Sequence, residues 1–394
     1  GGGRFASRTR TFSTVTAGLL ELAAWLEAEQ VQAVAMEATA TYWKPVYYLL
    51  EGSFDARLVN PRDVRQVKGR KTDVKDAQWL AQLLQHDLVR SSFVPEAPVR
   101  DLRELTRGRA HLKADRTRAV NRLEKQVEET GLKITAVTSA VLGASTRAML
   151  EALVAGERDP AVLADLAKGS LRAKRSELER ALRVARFSEA SAFMIGQSLS
   201  AIDMIDAQTR AYEERIAAAM RPFGRARELL VTIPGVSEHI SAVILGAIGA
   251  DVSAFPTAAH LASWAGVCPG NNRSAGREGS AATTHGDSYL RGALGMAAGH
   301  IARSSSPPCY LKSYYARVRK RRGARRAQVA LQHKIIVAVW HMLAAGVAYA
   351  ELGADYFDRR PRPARQRADH AKRLLEELSQ EGYDVTRLLP SPAA

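Results

Sequence analysis

The sequence predicts an α/β domain followed by a mainly α-helical remainder, and three observations predict it. Strand-like and helix-like runs alternate over residues 8–90. The pattern then turns almost wholly helical after Pro95–Pro98, and composition shifts again near Arg227. Short strands separated by helices of about a dozen residues pack as α/β layers, whereas an unbroken helical period packs helix on helix. The chain has 394 residues, enough for two or three domains. The expected boundaries are 1–95, 96–225 and 226–350, with a C-terminal tail over 351–394.

In the first segment, Arg8–Thr14 (RTRTFST) reads as a strand and Ala17–Glu29 as an amphipathic helix. Val31–Met36 is an apolar strand, Tyr42–Glu51 an aromatic-rich helix, Phe54–Val59 a strand and Asp73–His86 a helix, which together suggest a mixed sheet. Tyr42, Trp43 and Trp264 read as core side chains.

Val99–Leu132 carries Leu102, Leu105, Leu112, Leu123 and Val127 at helical spacing, with nine Arg and Lys residues from Arg100 to Lys125 on its other faces. After a break at Gly156–Pro160, a second helical stretch runs from Ala161 to about Arg221. Such paired helices suit a coiled-coil arm, a dimer interface, a nucleic-acid ruler or a bundle with solvated charge.

The third segment opens with ELLVTIPGVSEHISAVILGAIG (Glu228–Gly249), two helices around a tight Pro-Gly turn. This is similar to a helix-hairpin-helix, whose turn lets backbone amides approach a phosphate, although Ser237 stands where a second glycine is usual. An ordinary helical corner is the alternative. Pro269–Gly286 reads as a Gly-, Asn- and Ser-rich loop. The apolar run Ile335–Ala350 contains His341 and is short for a bilayer, so it is expected to be a buried helix and no membrane span is expected.

Lys and Arg number 57 against 41 Asp and Glu, a formal net charge of +16. Such an excess attracts polyanions, so nucleic acid is the expected partner. Seven basic residues fall between Arg317 and Arg326, among them Arg319 and Arg321. The two cysteines, Cys268 and Cys309, lack a CxxC spacing, which excludes a disulfide framework and a cysteine-rich zinc site and fits a reducing cytosol. The polar, basic Gly1–Arg10 does not read as a signal peptide, and a cytoplasmic, nucleoid-associated location is expected.

Glu37 ends an apolar strand, where α/β sheets place ligands. Asp73 and Asp76 sit three apart at a helix start, with Thr72 as a candidate N-cap, so they share a helical face. Three carboxylates from a strand end and a helix suit Mg²⁺, and two such ions about 4 Å apart would stabilise both oxygens of a phosphodiester exchange. Acidic residues in a first helical turn also stabilise the helix dipole without any metal. Arg62, Arg65, Lys68, Arg70, Lys71 and Lys75 surround the pair, as a phosphate-attracting rim would.

Four blocks then carry a resemblance: AMEATATYWKPVYYLLEG, LVNPRDVRQVKGRKTDVKDAQWLAQLL, TIPGVSEHISAVILGAIG and SWAGVCPGNNRSAGREGSAATTHGDSYLRGAL. In this order, and with ELGADYFDRR beyond them, they resemble the insertion-sequence 110 family of transposases. The resemblance implies a RuvC-like, RNase-H-type domain with a DEDD carboxylate set, a helical arm, and a second domain with a nucleophilic serine. Glu37, Asp73 and Asp76 match the last three DEDD members, and Ser274 in NNRSAG matches the serine. The first Asp of the set lies on an upstream strand in the family, and no Asp precedes Glu37 here. A first domain lacking its opening strand, and an inactive form of the enzyme, are the corresponding expectations.

The implied chemistry is attack by Ser274 on a phosphodiester, giving a covalent phosphoserine, with Ser280 the nearest competitor. Asn272, Arg273, Arg277 and Arg291 are candidate phosphate contacts there, with His285 where the family often has Lys, and Arg107, Arg116 and Arg122 on the helical arm. Implied partners are element-end and target DNA, a structured guide RNA, and further copies in a dimer or tetramer. The alternatives are a Holliday-junction nuclease using carboxylates alone, and a non-catalytic nucleic-acid-binding remnant.

Overall fold

A computed structural model describes residues 7–61, 64, 73–138, 140–183, 187–269, 273–274, 277–278, 282–359 and 374–381. The chain divides into two compact units, 1–96 and 97–394, each described by itself.

In the first unit the order is α1 (Thr16–Ala28), β1 (Ala33–Glu37), α2 (Trp43–Leu50), β2 (Asp55–Val59) and α3 (Asp73–Gln85). β1 and β2 pair in parallel, with Ala33 opposite Asp55 and Glu37 opposite Val59. α2 is the crossover between them, as parallel pairing requires. Alternation along β1 divides the apolar residues between two faces. Val34 and Met36 join Leu22, Trp25, Leu26, Leu50 and Phe54 on one side. Ala35 meets Val59, Val64, Val89 and the α3 leucines Leu80, Leu83 and Leu84 on the other. Helices therefore cover both faces, so the strands read as continuous apolar runs.

Two expectations fail here. Residues 8–14 form no strand: Arg8 pairs with Glu29 at 2.5 Å, Phe12 packs at a tilt on Trp25, and no ladder partner is found among the described residues. Their alternation records a chain laid over α1, since a strand needs a partner that sequence pattern does not supply. The expected mixed sheet is a two-stranded parallel sheet among the described residues, with one antiparallel bridge from Val59 to Ser91.

The second unit opens with the 33-residue α4 (Ala97–Glu129), followed by α5 (Ile134–Val137), α6 (Ala144–Val154), α7 (Pro160–Asp165), α8 (Arg175–Leu182) and α9 (Glu189–Ala219). α4 and α9 run antiparallel, because Arg109 meets Glu213, Arg116 meets Asp206 and Gln126 meets Ser198. Buried α9 residues Ile195, Leu199, Ile202, Thr209 and Ile216 follow a three-four spacing, and Thr106, Leu123 and Val127 are buried along the α4 length that runs beside them, while Val99 and Leu102 lie at the α11 end of α4. Each such aliphatic side chain stabilises the pair by about 1.5–3 kcal/mol. The helical stretch expected from Ala161 to about Arg221 consists of α7, a 3-10 turn, α8 and α9. Asp159 caps α7 and Ser188 caps α9, and each cap starts a new helix.

The remaining helices are α10 (Gly224–Leu230), α11 (Glu238–Ile248), α12 (Ala258–Trp264), α13 (Ser288–Ala302), α14 (Tyr310–Arg322), α15 (Ala324–Ala345) and α16 (Tyr356–Arg359). α15 buries Leu331, Ile335, Ile336, Val339 and Met342, but the run expected as a buried helix over Ile335–Ala350 leaves the helix after Ala345 at Gly346, and Val347 beyond it is exposed. No helix among the described residues is long and apolar enough to cross a membrane. Residues 351–359, expected as tail, dock on α14: Phe357 stacks on Tyr310 at 5.5 Å and Glu351 accepts the Tyr310 amide at 2.6 Å.

Candidate active site

Glu37 ends β1 in phase with Ala35, so it belongs to the sheet face that α3 covers. Thr39 donates its hydroxyl to Glu37 Oε1 at 3.2 Å. Asp73 and Asp76 lie in the first turn of α3, and Asp76 is half-buried. β1, which ends in Glu37, and α3, which opens with Asp73 and Asp76, thus pack against each other. The Asp73 side chain lies outside the described residues, and among those described no three His, Cys, Asp or Glu side chains form a metal-sized cluster. The donor set itself is all oxygen, which suits a hard divalent cation. Lys75 is exposed on α3, while Arg70, Lys71 and Thr72 lie outside the described residues.

In the second unit, the segment expected as a loop contains an antiparallel hairpin, β3 (Arg273–Ser274) with β4 (Arg277–Glu278). Ser274 stands opposite Arg277 across a two-residue connection, and Arg273 stands opposite Glu278. In the sequence, Gly276 is the one signal that favours a turn between two strands there. Asn272 and Ser280 lie outside the described residues, as do the side chains of the four strand residues. A Pro269–Thr283 bridge closes the ladder.

Below that bridge the backbone is clamped. A Cβ on Gly286 would lie 2.4 Å from the Ala265 carbonyl carbon, and one on Gly266 would lie 2.7 Å from the Gly286 nitrogen. Gly266 also has φ +70, a left-handed conformation that glycine adopts at no steric cost. Asp287 then caps α13, accepting the Tyr289 and Leu290 amides at 2.9 Å.

Sequence reasoning missed the group around this cap. Arg107 pairs with Asp287 and lies 4.9 Å from the Tyr289 ring centroid, and the Tyr289 hydroxyl is 2.6 Å from His111 Nε2. The signal was present as the four-residue spacing of Arg107 and His111, but their partners lie about 180 residues away. Arg107 is therefore held in an internal ion pair. So is Arg116, whose two nitrogens grip Asp206 at 2.6 and 3.1 Å and which holds that carboxyl below its usual range. Arg103 donates to the Gly246 and Ala247 carbonyls, and Arg109 to Glu213. Much of the charge on α4 thus joins helices together, while Arg122 remains exposed.

The Pro-Gly turn joins α10 to α11, as the two-helix reading expects. A Cβ on Gly235 would lie 2.7 Å from the Ala297 carbonyl oxygen, so this glycine serves close packing against α13. Ser237 caps α11 through Ile240. Trp264 packs on Phe255 as predicted, but Tyr42 is 79% exposed. Trp43 is half-buried and donates to the Ala40 carbonyl, so the indole is held by its own turn.

Arg291 is half-buried on α13 and His285 is exposed beside the clamp. Arg319 and Arg321 are exposed near the end of α14, where Arg319 and Lys320 share with Lys312 a cleft of about 520 Å³. Arg325 and Arg326 follow in the first turn of α15, which contains no acidic residue.

Comparison with known proteins fits this division. The family model DEDD_Tnp_IS110, described as "Transposase", matches residues 3–131, and one described as "Transposase IS116/IS110/IS902 family" matches residues 227–316. Together they take in more than half of the chain. The "Insertion element IS110 uncharacterized 43.6 kDa protein" of Streptomyces coelicolor is 33% identical over 153 residues, 38% of this chain and 36% of that protein. "Putative transposase y4uE" of Sinorhizobium fredii is 33% identical over 133 residues, 30% of this chain and 36% of that protein. The chain thus spans about a third of the length of the curated relatives it matches. With two IS110 transposase models matching separate segments, and with these relatives beside them, this chain belongs to the IS110 family of transposases.

Proposed function

We propose that this chain cuts and rejoins DNA as the transposase of an insertion sequence, with Ser274 as nucleophile and Glu37, Asp73 and Asp76 as ligands for Mg²⁺. The observation that carries this reading is the presentation of Ser274 in a short hairpin, in register with Arg277, within the family-matched segment. The Ser274 oxygen would attack a backbone phosphorus and the 3′- or 5′-oxygen of the cut strand would leave, so the bond energy is kept as a phosphoserine ester. Arg273, Arg277 and Asn272 would meet the charge on the phosphate, with Arg291 nearby on α13. A bound Mg²⁺ would supply Lewis acidity toward a phosphate oxygen. Glu37, Asp73 and Asp76 would hold that ion, and Arg70, Lys71 and Lys75 would draw the backbone toward it.

Arg122, Arg319 and Arg321 would contact phosphates outside the reacting bond, so they set affinity rather than chemistry. A dimer or tetramer and a structured guide RNA complete the reading, since recombination must hold several strands at once. The test is incubation with Mg²⁺, element-end DNA and the flanking non-coding RNA, followed by denaturation. A protein–DNA adduct lost in Ser274→Ala is the expected result. Mg²⁺-dependent cleavage that tolerates Ser274→Ala would replace it with a hydrolytic nuclease. Binding with neither would overturn the enzymatic reading.

A further inference from the structure

Three side chains on one face of α4, at four-residue intervals, fasten the elements around the serine hairpin. Arg103 donates to Gly246 at 2.9 Å and Ala247 at 2.6 Å, at the end of α11. Arg107 pairs with Asp287, and His111 meets the Tyr289 hydroxyl, both in the first turn of α13. The Asp287 side chain is only 10% exposed, so its charge depends on Arg107 and on the two amides it caps. One residue earlier, Gly286 is pressed onto the Ala265–Gly266 backbone. The downstream end of the segment carrying β3 and β4 therefore runs into α13, which α4 grips, and its upstream end, just after α12, is pressed against Gly286.

We infer that Arg107 is a positioning residue. Through Asp287 it sets the first turn of α13 and thereby the base of the Ser274 hairpin, with His111–Tyr289 fixing the rotation of that turn. The functional part of this inference rests on reading Ser274 as the nucleophile. Arg107 touches neither DNA nor the reacting atoms in this assignment. It places the hairpin on a helix whose far half packs against α9, so a shift of α4 along its axis would move the serine.

The experiment uses the full chain and two readouts. Hydrogen exchange is followed in peptides covering β3, β4 and residues 282–290, beside peptides from the last turns of α13 and from α9. The second readout is the Ser274-dependent adduct, with DNA affinity measured separately. In Arg107→Ala, exchange at the hairpin and residues 282–290 is expected to rise about tenfold or more while the other peptides keep their protection. The adduct rate should fall with DNA affinity held, and Arg107→Lys should restore part of both. Tyr289→Phe, which keeps the ring and loses one hydrogen bond, should give a smaller change in the same peptides. Unchanged hairpin exchange in Arg107→Ala would overturn the inference. So would a rise shared by α9 and the end of α13, since that assigns Arg107 to general packing. If the wild-type chain forms no adduct while the hairpin still loosens in Arg107→Ala, the nucleophile reading fails and the positioning of the hairpin stands.

Discussion

His239 is the clearest place where the structure predicts a pH-dependent property. It lies where α4, α9, α10 and α11 meet, in a cleft of about 360 Å³ lined by Arg109, Glu213, Met220, Arg227 and Glu238. Burial, followed by the positive charge of Arg109, pushes its pKa down to about 4, with Lys113 adding to the repulsion and Glu213 opposing it. Arg109 Nη1 lies 3.0 Å from His239 Nε2, a contact that suits a neutral ring accepting a hydrogen bond. Because the folded ring resists protonation and the unfolded ring does not, the unfolded state takes up the proton first as pH falls. The neutral ring is favoured in both states above about pH 6.5, and stability is lost as pH falls from there toward about 4.

At about 1.4 kcal/mol per pH unit the loss approaches 3 kcal/mol, and partial exposure of the ring brings it to about 2–3 kcal/mol. The perturbation is His239→Gln, which keeps a hydrogen-bonding side chain and removes the titration. Urea unfolding of both proteins between about pH 7 and pH 4 should show the wild type losing that much more than the variant. Carboxylates such as Glu213, held low by Arg109, lose stability in both proteins and largely cancel in the difference. Parallel pH profiles for the two proteins would refute the reasoning.

Gly286→Ala should destabilise by about 1–3 kcal/mol or more, because its Cβ meets backbone at 2.4 Å, and thermal melting reads the loss. Gly292→Ala, six residues on in α13 with no atom within 4 Å, should instead stabilise by up to about 1 kcal/mol. Arg116→Ala should cost about 1 kcal/mol by breaking the half-exposed pair with Asp206, with little change in the salt dependence of DNA binding. Arg319→Ala and Arg321→Ala should leave melting unchanged, and each should lower the slope of log affinity against log salt by about one. A reversed pattern, in melting or in slope, would exchange the roles assigned to α4 and α14.

Much of the candidate site was legible in the residues because its signals are local. Glu37 closes an apolar strand, Asp73 and Asp76 share a helical face, and Asn-Arg-Ser-Ala-Gly marks a turn. The same locality explains the misreadings. Arg8–Thr14 alternates like a strand, but a ladder needs a neighbouring strand, and the segment instead meets side chains of α1 and α3. Arg107 and Arg116 look like solvated phosphate contacts until Asp287 and Asp206 arrive from distant sequence.

By itself, the sequence determined the α/β-then-helical order and the basic character, and it supplied the residues proposed for both candidate centres. These follow from periodicity, composition and short spacings, each set within a few turns of chain. Only the tertiary structure decided which α4 charges are joined to other helices, that Gly235 packs against α13, and that the serine segment is a hairpin clamped at its base. Those outcomes depend on which surfaces meet across distant stretches of chain, 90 residues apart for Arg116 with Asp206 and 180 for Arg107 with Asp287, and the pairing of a charge is decided by the side chain it finds there.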